Sequence, residues 1–283
     1  MVAVGGQALI SGVMMKGKEY ISRAVYSQNG NLIVDKKKFV TFSQKNKIFG
    51  LPFLRGIFNL IDMFRIGMDS LTLSIKIAMP DEEQISKKEF GISFFISSMI
   101  SIGLFLVIPA LFFKYAFSSL GIHNIFLLNL MEGGMKLSIF FIFLVSTLFM
   151  KDMREIYRYH GAEHKAVHAY EAKVELTVEN VKKFSNIHQR CGTSFIAVLI
   201  LISVIMFSFF GVIPVFYRVL LKLALLPIVA GIAYEVIRLS SKIEKFWYLN
   251  IFIWPGLFLQ KLTTAEPGEK EIKAAIAALK EVI

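Results

Sequence analysis

The sequence predicts a mainly α, polytopic helical membrane protein with about four transmembrane helices, a small N-terminal β-hairpin region and interfacial amphipathic helices. Three observations carry that reading. The 283 residues are 55% hydrophobic and only 19% charged, with 27 Phe. Long uncharged apolar runs recur, of the length that a bilayer core of about 30 Å demands. The charged residues gather in the segments between those runs.

The net charge of +11 follows from the same reading. Lys and Arg in short cytoplasmic loops set topology and meet anionic lipid head groups, so the basicity calls for membrane lipids and not for a sequence-specific nucleic acid. One cysteine, Cys191, excludes an intramolecular disulfide framework and leaves a free thiol or a metal ligand. The N-terminus has no basic stretch followed by an apolar core and a small-residue cleavage site, so no signal peptide is expected.

Residues 1–45 form the first region. Its opening, GGQALISGVMMKG, is rich in glycine and reads either as a structural turn or as backbone lying beside a site. Tyr20 to Phe42 is strand-like and interrupted by Gln28-Asn29-Gly30-Asn31, which predicts a β-hairpin. Lys36, Lys37 and Lys38 then make a solvated basic face. Residues 46–89 are apolar but carry Arg55, Asp62, Arg65, Asp69 and Lys76 at short intervals, a pattern for a helix in the interface or packed on other helices. Asp62 and Arg65 are expected to pair, and Pro80 with Asp81-Glu82-Glu83 ends the segment.

Residues 90–262 are expected to form the transmembrane bundle. Phe90–Phe113 is an uncharged run of 24 residues, the first span. Leu137–Met150 offers 14 uncharged residues between Lys136 and Lys151, enough for a second only if flanking lysines snorkel or neighbouring turns join it. Cys191–Tyr217 is the third, and the fourth runs from about Val219 to Ile237. The loop 151–190 holds eight basic residues, whereas 114–136 holds Lys114 and Lys136 and the 218–222 turn holds Arg218 and Lys222. The positive-inside rule then puts both termini in the cytoplasm of a multi-pass protein of the inner or plasma membrane. Phe246–Gln260, with Trp247, Tyr248 and Trp254, reads as an interfacial or re-entrant segment, and 263–283 as a soluble amphipathic helix after Pro267-Gly268.

The chemistry gathers in 151–190 and just beyond. His160, His164 and His168 are four apart, so a helix stacks them along one face with Glu163 and Glu171 nearby. HGAEH fits H-x-x-E-H, in which two imidazoles one turn apart hold a metal and the adjacent carboxylate acts as general base. His188 and Cys191 offer further donors, and Glu171 and Glu179 offer oxygen. Cys191 is alternatively a nucleophile or an inert buried thiol. Glu235, near the cytoplasmic end of the fourth span, either pairs with Arg238 or contributes to the same site.

The segments GGQALISGVMMKG, YHGAEHKAVHAYE, LTVENV, HQRCGTSF, AGIAYEVIRLS and PGLFLQKLTTAEP resemble, in order and over nearly the whole chain, a bacterial membrane-protein family of unknown function that includes the YqhQ-like proteins. The resemblance implies a suspected metal centre at His160, Glu163, His164, His188 and Cys191, since the family carries the label of predicted metal-dependent enzymes. The chain departs from the family pattern at Ser11, where an acidic residue is expected, and at Gln189, where proline is.

Two function classes follow. The first is a cytoplasm-facing metal-dependent hydrolase, with a divalent metal, zinc in the first place, on His160 and His164 plus two of His188, Cys191 and Glu171, and Glu163 as base. The second is a non-enzymatic biogenesis or assembly factor in which these residues hold a structural metal or a polar network and a protein, ribosome or translocon is the partner. A transporter ranks third, because the chain lacks paired broken helices and inverted repeats.

Overall fold

A computed structural model describes residues 4–80, 87–189, 191–240 and 250–283. In its N-terminal segment residues 12–15 and 21–25 are buried in unbroken runs, and because successive side chains of a strand point to opposite faces, the sheet they build is covered on both. Strands β1 (Gly5–Leu9), β2 (Gly12–Lys16), β3 (Tyr20–Tyr26) and β4 (Leu32–Lys38) lie in the order β1-β2-β3-β4, all antiparallel. Val13, Met15 and Ala24 point to one face, and Met14, Ile21 and Val25 to the other. The hairpin expected at Gln28–Asn31 is present, with Gly30 at φ 78°. The glycine-rich opening is a second hairpin and not an isolated turn, because Leu9, Val13, Met14 and Met15 each find a buried place.

The sheet is sandwiched between helices. One face packs on α2 (Leu54–Ala78) through Ile66. The other meets α6 (Lys151–Glu171) and α11 (Glu269–Lys280), where Ala162, Ala166, Ala274, Ala275 and Ala278 allow close approach and Ile272 and Leu279 fill the core. The amphipathic C-terminal helix therefore exists, and its apolar face is covered by the sheet and α6. Arg23 of β3 pairs with Asp35 and, at 2.9 Å, with Asp69 of α2, fixing sheet to helix.

Between these parts lie the apolar helices. Short α1 (Phe42–Lys45) precedes α2; then come α3 (Lys87–Ile102), a π-helical turn and α4 (Ile108–Ser118), continuous over Gly91–Ser118, followed by α5 (Ile125–Thr147). After α6 come α7 (Val178–Lys182), α8 (Gly192–Phe207), α9 (Val215–Ser240) and α10 (Asn250–Thr263). Among the described residues, three helices are long and apolar enough to cross a membrane: Gly91–Ser118, Ile125–Thr147 and Val215–Leu239. Large side chains such as Phe95, Phe126, Ile142 and Phe216 face outward from them, which suits lipid and not water. α8 is apolar but has only 16 residues, about 24 Å at 1.5 Å per residue.

The structure corrects several boundaries. The second apolar helix begins at Ile125, 12 residues before the expected Leu137, and so takes in Glu132 and Lys136. Arg218 and Lys222 belong to α9 and not to a turn. These charges can lie within apolar helices because Arg218 and Lys222 both pair with Glu132. The third expected span, Cys191–Tyr217, is interrupted after Phe207 and resumes as α9 at Val215. The carboxylate of Glu235 accepts from Arg55 Nε of α2 at 2.6 Å and from Phe53 N at 3.3 Å, with the charge of the expected partner Arg238 also acting on it, and it belongs to neither histidine group. Arg65 stands 3.6 Å from Asp62, as expected, while Asp62 also accepts from Phe42 N at 2.8 Å. Asp81-Glu82-Glu83, Trp247 and Tyr248 lie outside the described residues.

Candidate metal centre

Helix α6 presents its histidine stripe to the segment between α7 and α8. His160 Nδ1 lies 2.8 Å from the carbonyl oxygen of Thr263, and His164 Nδ1 lies 2.7 Å from that of Asn186. A carbonyl only accepts, so each Nδ1 carries the hydrogen and donates it, and each Nε2 keeps its lone pair. This is the arrangement that orients metal-binding imidazoles. His160 Nε2 is 3.2 Å from Cys191 Sγ, and the donor atoms of His160, His164 and Cys191 all lie within 4.8 Å of one another.

Each of these positions has a structural cause. Cys191 is the N-cap of α8, where its Sγ accepts from Thr193 N at 3.3 Å. Thr263 is the last residue of α10, whose Gln260 accepts from His188 N at 2.9 Å and donates to His188 O at 2.8 Å and to Ser194 Oγ at 2.6 Å. One amide thus locks α10, α8 and the His188 segment together. Lys165 adds a second tie, donating to Lys182 O at 2.9 Å and to Glu266 at 2.6 Å. On α6 itself, a Cβ at Gly161 would collide with the Ala265 carbonyl oxygen, so glycine is what lets the chain after α10 lie against the helix.

Glu163 is buried, and its carboxylate stands 3.5 Å from His164 Nε2, the nitrogen that faces the cluster. Strand β1 closes this side: a Cβ at Gly6 would stand 2.7 Å from Glu163 Cγ. The glycine-rich opening is therefore both hairpin and wall. Ser11, the position with φ 52°, donates to Glu155 Oε1 at 3.3 Å, and its hydroxyl belongs to neither ligand group.

The remaining expected ligands form a second group one turn along. His168, Glu171 and His188 bring donor atoms within 4.8 Å of one another, with His188 Nε2 at 3.2 Å from Glu171 Oε2 and His168 Nε2 donating to Ile187 O at 2.9 Å. Glu179 is exposed on α7 and joins neither group. Burial lowers the pKa of His164, and burial together with nearby His168 lowers that of His188 to about 4. Neutral rings are what a metal requires. Two nitrogens and a sulfur, all with anchored geometry, fit a divalent ion of the zinc type.

The sequence reading missed Gln260, Thr263 and Asn186 as positioning residues. Gln260 and Thr263 lie in PGLFLQKLTTAEP, a segment quoted for its resemblance but given no role.

An antiparallel sheet capped by α6 and α11, carrying a buried His/Cys cluster and joined to long apolar helices, defines the class. The chain belongs to the family described as "Protein of unknown function (DUF1385)", matched over residues 51–283, which include every candidate ligand. It is 31% identical over 293 residues to the uncharacterized protein YqhQ of Bacillus subtilis (strain 168), across 99% of this chain and 92% of that one. No solved structure matches.

Proposed function

We propose that this protein is a membrane-embedded, metal-dependent hydrolase whose centre opens on the cytoplasmic side. The observation that carries the reading is the convergence of His160 Nε2, His164 Nε2 and Cys191 Sγ beside the buried carboxylate of Glu163, with both imidazoles fixed by backbone carbonyls. His160, His164 and Cys191 would hold a divalent cation, zinc in the first place. Such an ion, when bound, acidifies water and polarises a carbonyl or phosphoryl oxygen. Three protein ligands leave one position open, the pattern of catalytic and not structural zinc. Glu163 receives the proton from the attacking water and returns it to the leaving group, and β1 and the sheet keep bulk water from its carboxylate. His188 and Glu171 orient the neighbouring ring, His168, and the segment that carries Cys191.

In the same reading α8 is a fourth crossing, short enough to require local thinning of the bilayer. The loops 119–124 and 208–214 contain no Lys or Arg, whereas the sheet, α2 and α6 are rich in them. That asymmetry supports an inner-membrane protein with the sheet, α6, α11 and both termini in the cytoplasm.

One distance favours a second reading. At 3.5 Å from His164 Nε2, Glu163 is near enough to become a fourth ligand, and four protein ligands close a zinc site into a structural one. The protein would then be an assembly or biogenesis factor with a protein, ribosome or translocon partner. Glu163→Gln separates the two. In the hydrolase reading it keeps the metal and loses turnover of an ester or peptide substrate found by screening; in the structural reading it loses metal.

A further inference from the structure

A second set of buried charges lies within the bundle, on α5 and α9, and it is unbalanced. Residues 90–151 contain one carboxylate, Glu132, and residues 191–234 contain none. Glu132 accepts from Arg218 Nε at 3.0 Å, from Arg218 Nη2 at 2.7 Å and from Lys222 Nζ. Arg218 is spent on further acceptors, the Gly211 carbonyl at 3.1 Å and Asn129 Oδ1, while Asn129 Nδ2 donates to the carbonyls of Ser208 and Phe210, each at 3.0 Å. The guanidinium also stacks on Phe113 at 3.7 Å.

Lys136 is the cation that this network leaves over. It is 7% exposed and makes no ion pair or hydrogen bond among the described residues; the ring of Phe207 lies 5.3 Å from its Nζ, and Glu132, one turn earlier on α5, attracts it only from beyond hydrogen-bond distance. Lys222 Nζ stands over the same ring at 5.4 Å, so the two ammonium groups share one aromatic neighbour. Three buried cations thus face one carboxylate, and two positive charges are uncompensated. Burying an unpaired charge among apolar helices is expensive unless the lysine sheds its proton or an anion completes the site.

We propose that Lys136 and Lys222, backed by Arg218, form a binding site for a phosphate-bearing anion. The chemistry is specific. Arg218 has its donors engaged, whereas Lys136 has all three ammonium hydrogens available and Lys222 has two, which suits a compact oxyanion with several acceptor oxygens. Position adds to this. Glu132 lies 15 residues before Thr147 at the far end of α5, about 22 Å along the helix, and α6 with the histidines follows that far end. The phosphate site is therefore separate from the candidate metal centre, and it stands whether or not that centre is catalytic. The phosphate comes from a lipid head group in the leaflet around the loops 119–124 and 208–214, or from a free phosphate ion.

The test uses the full chain, delipidated in a neutral detergent, with thermal unfolding and native mass spectrometry as readouts. The probes are sodium phosphate and phosphatidylglycerol, with sodium chloride at equal ionic strength and phosphatidylcholine as controls. The site predicts saturable stabilisation of several degrees by one probe, affinity at least tenfold weaker in Lys136→Met, and retention in Lys136→Arg. Phosphatidylglycerol acting alone identifies the lipid source, and sodium phosphate acting alone identifies the free ion. If Lys136→Met fails to fold, Glu132→Gln supplies the reading, since removing the one carboxylate should tighten binding of the same probe. No saturable effect of either probe in the wild type, with Lys136→Met at least as stable as the parent, overturns the proposal and assigns Lys136 as a neutral buried amine.

Discussion

The residues that matter most are those whose rings are held by main-chain carbonyls. Thr263 O on His160 and Asn186 O on His164 fix which nitrogen faces Cys191, so removing either ring removes a donor atom from the proposed site and leaves the backbone framework intact. His160→Ala and His164→Ala are each expected to insert in the membrane normally and to bind metal 10-fold or more weaker, measured by competition with a chromogenic chelator. The site also has a pH signature. The pKa of His188 falls from 6.5 to about 4 on folding, so between those values the unfolded chain carries a proton that the folded chain lacks. Stability therefore rises with pH through that window and declines as pH falls from about 6.5 toward about 4, by up to roughly 3 kcal/mol. Unfolding midpoints in the metal-free protein should show this slope, and His188→Gln should flatten it. At this scale the sequence was legible where helical period alone decides: His160, His164 and His168 share a face because they are four apart. The carbonyls that orient them carry no side-chain signature. The hydrogen-bonded partner of Glu235 was hidden for a related reason, since Arg55 is 180 residues away in sequence and on another element.

Elements meet the site through small residues and through one amide. Gly161 admits the Ala265 carbonyl against α6, and Ala162 and Ala166 admit α11 and the sheet. Gly161→Val is expected to destabilise the folded domain by about 1–3 kcal/mol, because the chain after α10 must move away. It should also weaken metal binding, since Thr263 moves with that chain; equal metal affinity in Gly161→Val and wild type would detach α10 from the site. The hairpin at Gln28–Asn31 and the amphipathic C-terminal helix were legible from turn chemistry and period. β1 and β2 were not, because glycine-rich strands whose one β-branched residue is Val13 carry little strand signal and are specified by burial between α2 and α6. The early start of α5 was hidden for another reason. Glu132 and Lys136 read as loop residues until Arg218 and Lys222 are seen beside Glu132, and that pairing spans 86 and 90 residues.

For the whole molecule, one polar centre lies inside the apolar bundle, along the middle of α5, and the other lies on α6 beside the sheet. Among the described residues three helices have the length and composition to cross a membrane, and α8 decides the topology. If it crosses, the loops 119–124 and 208–214 share the outer side. In a Cys191→Ser background, Leu120→Cys and Val212→Cys should react with a membrane-impermeant maleimide in intact cells, and Lys280→Cys only after permeabilisation. Labelling of Lys280→Cys with protection of both loop cysteines in intact cells would reverse the orientation, and protection of Val212→Cys while Leu120→Cys is labelled would mean that α8 does not cross. The bundle was visible in the sequence because hydropathy needs no partner to be read. Its inner surface was not, because which charges are buried depends on which helices meet.

The central claim is that His160, His164 and Cys191 hold a divalent cation, and elemental analysis of the detergent-purified protein tests it most directly. The account predicts about one equivalent of metal, zinc first, in the wild type and its loss in His164→Ala at unchanged membrane insertion. Metal-free wild type after reconstitution with zinc, manganese or iron, or full occupancy in His164→Ala, would contradict it.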